Sequence, residues 1–245
     1  MKTIDALGVK YKELNEIIDE TIHIDENITL NNIFGQRYVG RILPSNVKLT
    51  INGTPGNDMA AYMSGAEIEV FGNAQDGVGN TMNNGKIIIH GNCGDTAGYA
   101  MRGGAIYIEG NAGYRIGIHM KEYKEMKPLI MIGGKAGDFL GEYMAGGAII
   151  LLGLGLKKGE DLTGKYCGTG MHGGKIYLAK KAQEFNLGKE AVKVKLDDDD
   201  KAFLKKHLDE YAKYFKKDLS AVKIESFVKY AAVNKNPYKN IYHKL

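Results

Sequence analysis

Glycine and methionine recur through the middle of this chain on a period of nineteen residues: Gly53, Gly72, Gly91 and Gly110 fall on it, and so do Met63, Met82, Met101 and Met120. The frame steps by 24 to Gly134 and Met144, returns to 19 at Gly153, and steps by 27 to Met171, with insertions around "KEYKE" (121–125) and "KKGEDLTG" (157–164) accounting for the jumps. A period of this kind means that each repeat is one supersecondary unit that buries its apolar face only by stacking on the next.

Aligned in that frame, the segments "KLTING", "EIEVFG", "KIIIHG", "AIYIEG", "LIMIGG", "AIILLG" and "KIYLAK" carry branched aliphatics in two columns. One column runs Leu49, Ile68, Ile87, Ile106, Ile130, Ile149 and Ile176; the other runs Ile51, Val70, Ile89, Ile108, Ile132, Leu151 and Leu178. The position between them (Thr50, Glu69, Ile88, Tyr107, Met131, Ile150, Tyr177) is mixed in character. Apolar residues alternating with variable ones predict strands with one buried face. Nineteen extended residues close a loop of roughly 60 Å perimeter, suited to three short faces and three corners. The fold predicted is all-β, a parallel β-helix in which the methionines form an interior ladder and Gly79, Gly98, Gly117, Gly141 and Gly168 supply positive φ at stacked corners.

Such a helix exposes strand edges at both ends unless they are capped. Residues 8–22, with Tyr11, Leu14, Ile17, Ile18 and Ile22 at near-helical spacing, are assigned to one cap. At the other end "DDDDKAFLKKHLDEYAKYFKK" begins with acids, ends with lysines and carries Phe203, Leu204, His207, Leu208, Tyr211, Ala212 and Phe215 on one face. That charge order suits a helix dipole, so the acid run reads as a helix start and not as a ligand cluster. The division expected is an N-terminal cap with entry strands over 1–47, the β-helix over 48–182, and a C-terminal helical extension and tail over 183–245.

Composition narrows the function. Thirty-three glycines in 245 residues do not fall on every third position, which excludes collagen. The net charge of +4 comes from lysines concentrated in the last third, where they alternate with acids, and no basic stripe with interleaved aromatics is visible along the repeats, so no nucleic-acid partner is expected. No apolar run reaches the roughly 18 residues of a membrane span and the first residues lack a signal-peptide core, so the expected location is the cytoplasm.

Candidate chemistry is sparse. "GTGMHGGK" (168–175) satisfies the dinucleotide fingerprint, but a strand of the repeat follows where a helix is required. Gly85-Lys86 and Gly174-Lys175 are followed by Ile, not the Ser or Thr of a Walker loop. Cys93 sits in a column with Ala74, Ala112 and Ala136, and Cys167 in one with Val78, Ala97, Ile116 and Leu140, so both read as small buried hydrophobes. His119 and His172 lie beside the methionine ladder on different turns, without metal-ligand spacing. The polar turns "TPGND" (54–58), "NAQDG" (73–77), "NTMNN" (80–84) and "GYRIG" (113–117) satisfy local backbone groups or form a surface docking strip; both readings stand. A polysaccharide-cleaving β-helix needs two carboxylates roughly 5–10 Å apart; Glu69 and Glu109 lie in different columns, and Asp95 and Asp138 are separated by Tyr114, so no pair is identified. No catalytic, cofactor-binding or metal-binding residue is assigned.

The motifs "GTPGNDMAAYMSG", "GNAQDGVGNTMNNG", "GDTAGYAMRGG" and "AGDFLGEYMAGGAIILLGL", ending in "GTGMHGG", resemble the GXGXG domain of glutamate synthase, and more closely its stand-alone third-subunit type. The resemblance covers about residues 30–180, with "NPYKNIY" (236–242) a weaker match. It implies a right-handed β-helix in a complex that converts glutamine and 2-oxoglutarate into two glutamates. The chain is then a non-catalytic subunit that positions a glutamine amidotransferase subunit and an FMN-binding synthase subunit. FMN and the iron–sulfur cluster belong to those partners, since position 2 is Lys and two cysteines cannot supply four thiolates. The two insertions and the Lys-rich tail depart from the pattern and are the expected docking features. The alternative from the same architecture is the β-helical member of a formylmethanofuran dehydrogenase-like complex, and a homo-oligomer through an uncapped end remains open.

Overall fold

The structure, a computed structural model, describes residues 1–180 and 186–233; "NPYKNIY" and His243 lie outside the described residues. One sheet holds eleven strands: β1 (Lys2–Asp5), β2 (Asn27–Phe34), β3 (Lys48–Thr54), β4 (Ser64–Phe71), β5 (Asn84–Ile89), β6 (Ala105–Ile108), β7 (Leu129–Ile132), β8 (Ala145–Leu151), β9 (Gly173–Leu178), β10 (Ala191–Val194) and β11 (Val228–Ala232). From β1 to β9 every strand pairs in parallel with the next one in sequence. Ordinary parallel neighbours need a crossover, usually a helix; from β2 onward the chain returns through turns alone, which makes it a β-solenoid. The register is the predicted one: Leu49, Ile68, Ile87, Ile106, Ile130, Ile149 and Ile176 pair in succession, as do Ile51 through Leu178. All six ladder methionines are buried. Only one of the three expected faces is a continuous sheet; among the described residues the others consist of isolated bridges, such as Ala74 to Cys93 to Ala112, and tight corners.

The corner explains the period. Each turn places three left-handed residues at alternate positions, for example Asp58, Ala60 and Tyr62, then Gly77, Gly79 and Thr81, then Thr96, Gly98 and Ala100. The alternation aims successive N–H groups at opposite neighbours. Tyr62 donates to Asn80 in the next turn (2.8 Å) and Gly79 to Met59 in the preceding one (2.9 Å), so the corner backbone is satisfied without a strand ladder. At the middle position glycine is favoured on two counts, and Ala60, at φ +60°, is the one non-glycine residue found there among the described turns. φ is +71° at Gly98, and a Cβ there would sit 2.4 Å from Ile130 Cδ1; at Gly117 it would sit 2.7 Å from Ile149 Cδ1. The inner isoleucine column therefore fills the space a side chain would need.

Helix α1 (Tyr11–Thr21) places Leu14 and Ile18 against the interior core and caps one end, as expected. Helix α2 (Asp198–Phe215) does not cap the other. It lies along the outside of the sheet, where Leu204, Leu208, Tyr211 and Phe215 cover Ile88, Tyr107, Met131, Ile150 and Tyr177. The physical reason is in the column between the two aliphatic ones: polar at Thr50 and Glu69, it turns apolar from Ile88 onward and so needs a cover from β5 to β9. Eighteen helical residues span roughly 27 Å, enough to cross five strands about 4.8 Å apart. The far end is closed instead by β11, antiparallel on β9, with β10 outside it. Asp197 caps α2 through a reciprocal box with Asp200, as the acid run predicted.

Substituting Gly98→Ala should lower the unfolding free energy by at least about 2 kcal/mol, through backbone strain and overpacking together. Gly155→Ala, also at positive φ but with open space around its Cβ, should cost only about 1 kcal/mol. Urea unfolding of the two variants checks this, and equal losses would refute the inner-column explanation.

Candidate functional site

The stacked turns settle several sequence candidates. "GTGMHGGK" runs into β9, so no helix follows its glycines. Cys93 and Cys167 are buried in the columns assigned to them, and burial pushes both thiols up to about 12, far from a nucleophile or a cluster ligand. Two such thiols do not fit an iron–sulfur cluster. Among the described residues no group of three or more His, Cys, Asp or Glu could hold a metal ion.

The polar turns are ladders that satisfy the backbone. Asn73 Oδ1 accepts from the N–H of Asn92, Asn92 Oδ1 from that of Asn111, and Asn111 Oδ1 from that of Lys135, at 2.8, 2.8 and 3.0 Å. A parallel ladder corrects the carboxylate search. Asp76 and Asp95 stand in one column on adjacent turns, a pair the nineteen-residue spacing already contains. Asp76 Oδ1 accepts from the N–H of Asp95 and Asp95 Oδ1 from that of Tyr114, both at 2.8 Å. These oxygens hold neighbouring turns together. Glu69 and Glu109, in different columns, both approach His90, at 2.8 Å and 3.8 Å, and Glu109 also pairs with Lys217 just beyond α2.

Two polar clusters under α2 have the composition of an active site without its access. The Tyr107 hydroxyl meets Glu210 and lies 3.0 Å from His207 Nδ1, which is itself 2.9 Å from Glu210. Burial drives the Tyr107 phenol far above its ordinary range and lowers His207. At the other end of the helix the carboxylate of Asp200, 1% exposed, accepts from Lys175 (2.8 Å), Tyr177 (2.7 Å) and Lys229. Burial opposes its charge, but these three donors outweigh burial and hold the carboxyl well below the usual range. Sequence reasoning finds in Asp200 a helix start only; the cations that meet it, exposed Lys175 from β9 and buried Lys229 from β11, carry no local signal.

The outward side of the corner is the feature no linear reading finds. Its first and third left-handed columns point side chains outward and admit residues other than glycine: Tyr62, Arg115, His119, Phe139, Tyr143 and Tyr166 all have φ between 52° and 63°. Each such residue costs about 1–2 kcal/mol relative to glycine. Tyr62, Tyr143 and Tyr166 are nonetheless 55%, 44% and 50% exposed. His119 stacks on Tyr143 at 5.2 Å and Phe139 on Tyr166 at 5.0 Å, while Arg115 reaches Glu142 at 3.1 Å and lies over Phe139. Tyr99 meets His119 edge-on. The stripe of aromatic and basic groups absent from the linear sequence is thus assembled by stacking.

Two shallow hollows lie elsewhere on the surface. One, of about 250 Å³, lies over β2 to β4 with Thr29, Thr50, Glu67 and Glu69 in its lining; the other, of about 410 Å³, adjoins the second insertion, with Lys135, Asp138, Glu160 and Lys165 around Thr163. The "KEYKE" insertion closes on itself through paired hydrogen bonds between Tyr123 and Met126.

Residues 12–236 match the GXGXG motif family. The chain belongs to this family. Its repeated corner of three alternate left-handed residues, with glycine at the middle position in every described turn but that of Ala60, is the physical content of that motif here. Over 249 aligned residues the chain is 41% identical to the uncharacterized protein MJ1350 of Methanocaldococcus jannaschii, covering 98% of this chain and 95% of that one.

Two substitutions separate the outer corner from the packed clusters. Tyr143→Gly relieves left-handed strain and should leave the protein at least as stable as the parent in chemical denaturation, although it removes an aromatic ring. Asp200→Asn strands Lys229 and should cost about 3–5 kcal/mol at neutral pH. A depressed carboxyl contributes stability above its unfolded value near 3.8 and loses it as pH falls through the lower folded value. The gap between parent and Asp200→Asn should accordingly narrow on acidification below pH 4, as unfolding titrations would show.

Proposed function

We propose that this chain is a non-catalytic structural subunit of a glutamate synthase-type complex, which packs against and positions a glutamine amidotransferase subunit and an FMN- and iron–sulfur-bearing synthase subunit in the cytoplasm. The observation that carries the reading is the match to the GXGXG motif family over nearly the whole length, residues 12–236. Chemistry on the described residues supports it: the Asp and Asn oxygens of the turns bond the next turn, and the Tyr-His-Glu and Asp-Lys clusters fasten α2. Side chains with catalytic composition thus serve the solenoid.

The chain purified alone should give no glutamate from glutamine and 2-oxoglutarate. Tagged in its own cells, it should bring down an amidotransferase and a flavin/iron–sulfur polypeptide in fixed ratio, in an eluate with glutamine-dependent glutamate formation. Recovery of a tungsten or molybdenum enzyme would transfer the same scaffold role to a formylmethanofuran dehydrogenase-like complex. A monodisperse homo-oligomer with no other chain would defeat the subunit reading.

A further inference from the structure

The outer corner of the C-terminal turns has a composition that its structural role does not explain. The first and third left-handed columns accept glycine, as Gly77 and Gly170 show, and small or polar residues such as Thr81, Thr96 and Ala100, yet from Arg115 to Tyr166 they hold aromatic and basic side chains in the same conformation. Backbone strain retained at exposed positions, where the larger residues pack mainly on one another and not on the core, points to a use for the side chains. Beside them the column following the methionine ladder presents Arg102 and Lys121, both exposed and without an ion-pair partner among the described residues. Of the carboxylates near these columns, Glu142 is buried and paired with Arg115, Asp58 accepts from Asn80, and Glu122, next to Lys121, accepts from the N–H of Gly147.

We propose that this strip, with Tyr99, Arg102, His119, Lys121, Tyr143 and Tyr166 at its centre, docks an acidic face of a partner subunit; the inference rests on the scaffold reading and locates its contact surface. Aromatic residues and arginine are the groups that anchor protein interfaces. The uncompensated cations select an anionic counterpart and predict association that slows with ionic strength. A second copy meeting the strip across a two-fold axis would set like charges face to face. Single-stranded nucleic acid would need open ring faces, but His119 and Tyr143 are stacked on each other with planes 10° apart, and Phe139 and Tyr166 with planes 18° apart. Their edges and hydroxyls are what the strip offers, which suits a protein surface. From Tyr62 to Tyr166 the five turn-to-turn steps extend roughly 24 Å, the length of the core of a standard interface.

The test places a photo-crosslinking residue at position 143, and in a separate protein at position 50 on the uncovered sheet face, in the full chain expressed in its own cells. Cross-linked peptides are then identified by mass spectrometry. The expected result is a cross-link from 143, not from 50, to an Asp/Glu-rich segment of a polypeptide present in fixed ratio in the complex. The double variant Arg102→Glu/Lys121→Glu should lose that polypeptide by at least tenfold, and Tyr143→Gly should weaken it while thermal stability holds. Recovery of the complex with glutamate formation intact and unaffected by these variants would overturn the docking surface and leave the scaffold reading standing. An acidic partner cross-linked at 143 in a complex that makes no glutamate would support the surface and defeat the glutamate synthase assignment. Cross-links to RNA or to a second copy of this chain, or a chain that co-purifies with nothing, would overturn the proposal.

Discussion

The whole solenoid depends on one close approach, between the corner backbone and the inner isoleucine column. Where Gly79, Gly98, Gly117 and Gly141 pass the Cδ1 atoms of Ile106, Ile130, Ile149 and Ile176, no Cβ fits. The contact draws the corner inward and lets each turn without an insertion return to the sheet within nineteen residues. It also couples two features that look independent in the sequence: at these four turns the isoleucine column fills the space that the bare corner leaves, and only at Ala60 does the corner carry a methyl group. Close-packed interiors of this kind feel both a missing and an added methylene group.

The same geometry divides labour by direction. Side chains of the strand columns and the methionine ladder point inward and are buried; oxygens of Asn73, Asn92, Asp76 and Asp95 bond along the axis to the next turn; side chains of the first and third corner positions point out. Each direction has its own chemistry, apolar within, amide and carboxylate along, and, from Arg115 to Tyr166, aromatic and basic without. A side chain useful to a partner can then change without disturbing the turns beneath it.

Most of this architecture is legible because a nineteen-residue period repeats its own evidence. Seven copies of each strand column fix the register, and Gly98 and its equivalents fix the corner. Legibility ends where information is not periodic. The step from Glu69 to Ile88 in the middle column marks where α2 begins to cover the sheet, but it is one change in one column. The partners of Asp200 come from β9 and β11, and nothing near residue 200 announces them. The left-handed conformation of Tyr143 and Tyr166 is hidden because these are the residue types least expected at positive φ. The Asp76 and Asp95 pair is an exception of the other kind: it stands in plain register, and a search confined to Glu69, Glu109, Asp95 and Asp138 misses it.

Helix α2 also alters how the solenoid can come apart. Stacked repeats are coupled only to their neighbours, so a bare solenoid frays turn by turn. Here Leu204, Leu208, Tyr211 and Phe215 join the rungs from β5 to β9 through one rigid element, with Asp200 fastened at one end and the His90 cluster at the other. Those rungs open as one cooperative unit, while β2 to β4, with a polar and uncovered outer face, can exchange their amide hydrogens by shorter-lived local openings. The molecule thus carries a stiff half and a breathing half on a single continuous sheet, and the aromatic corner from Tyr99 to Tyr166 belongs to the stiff one.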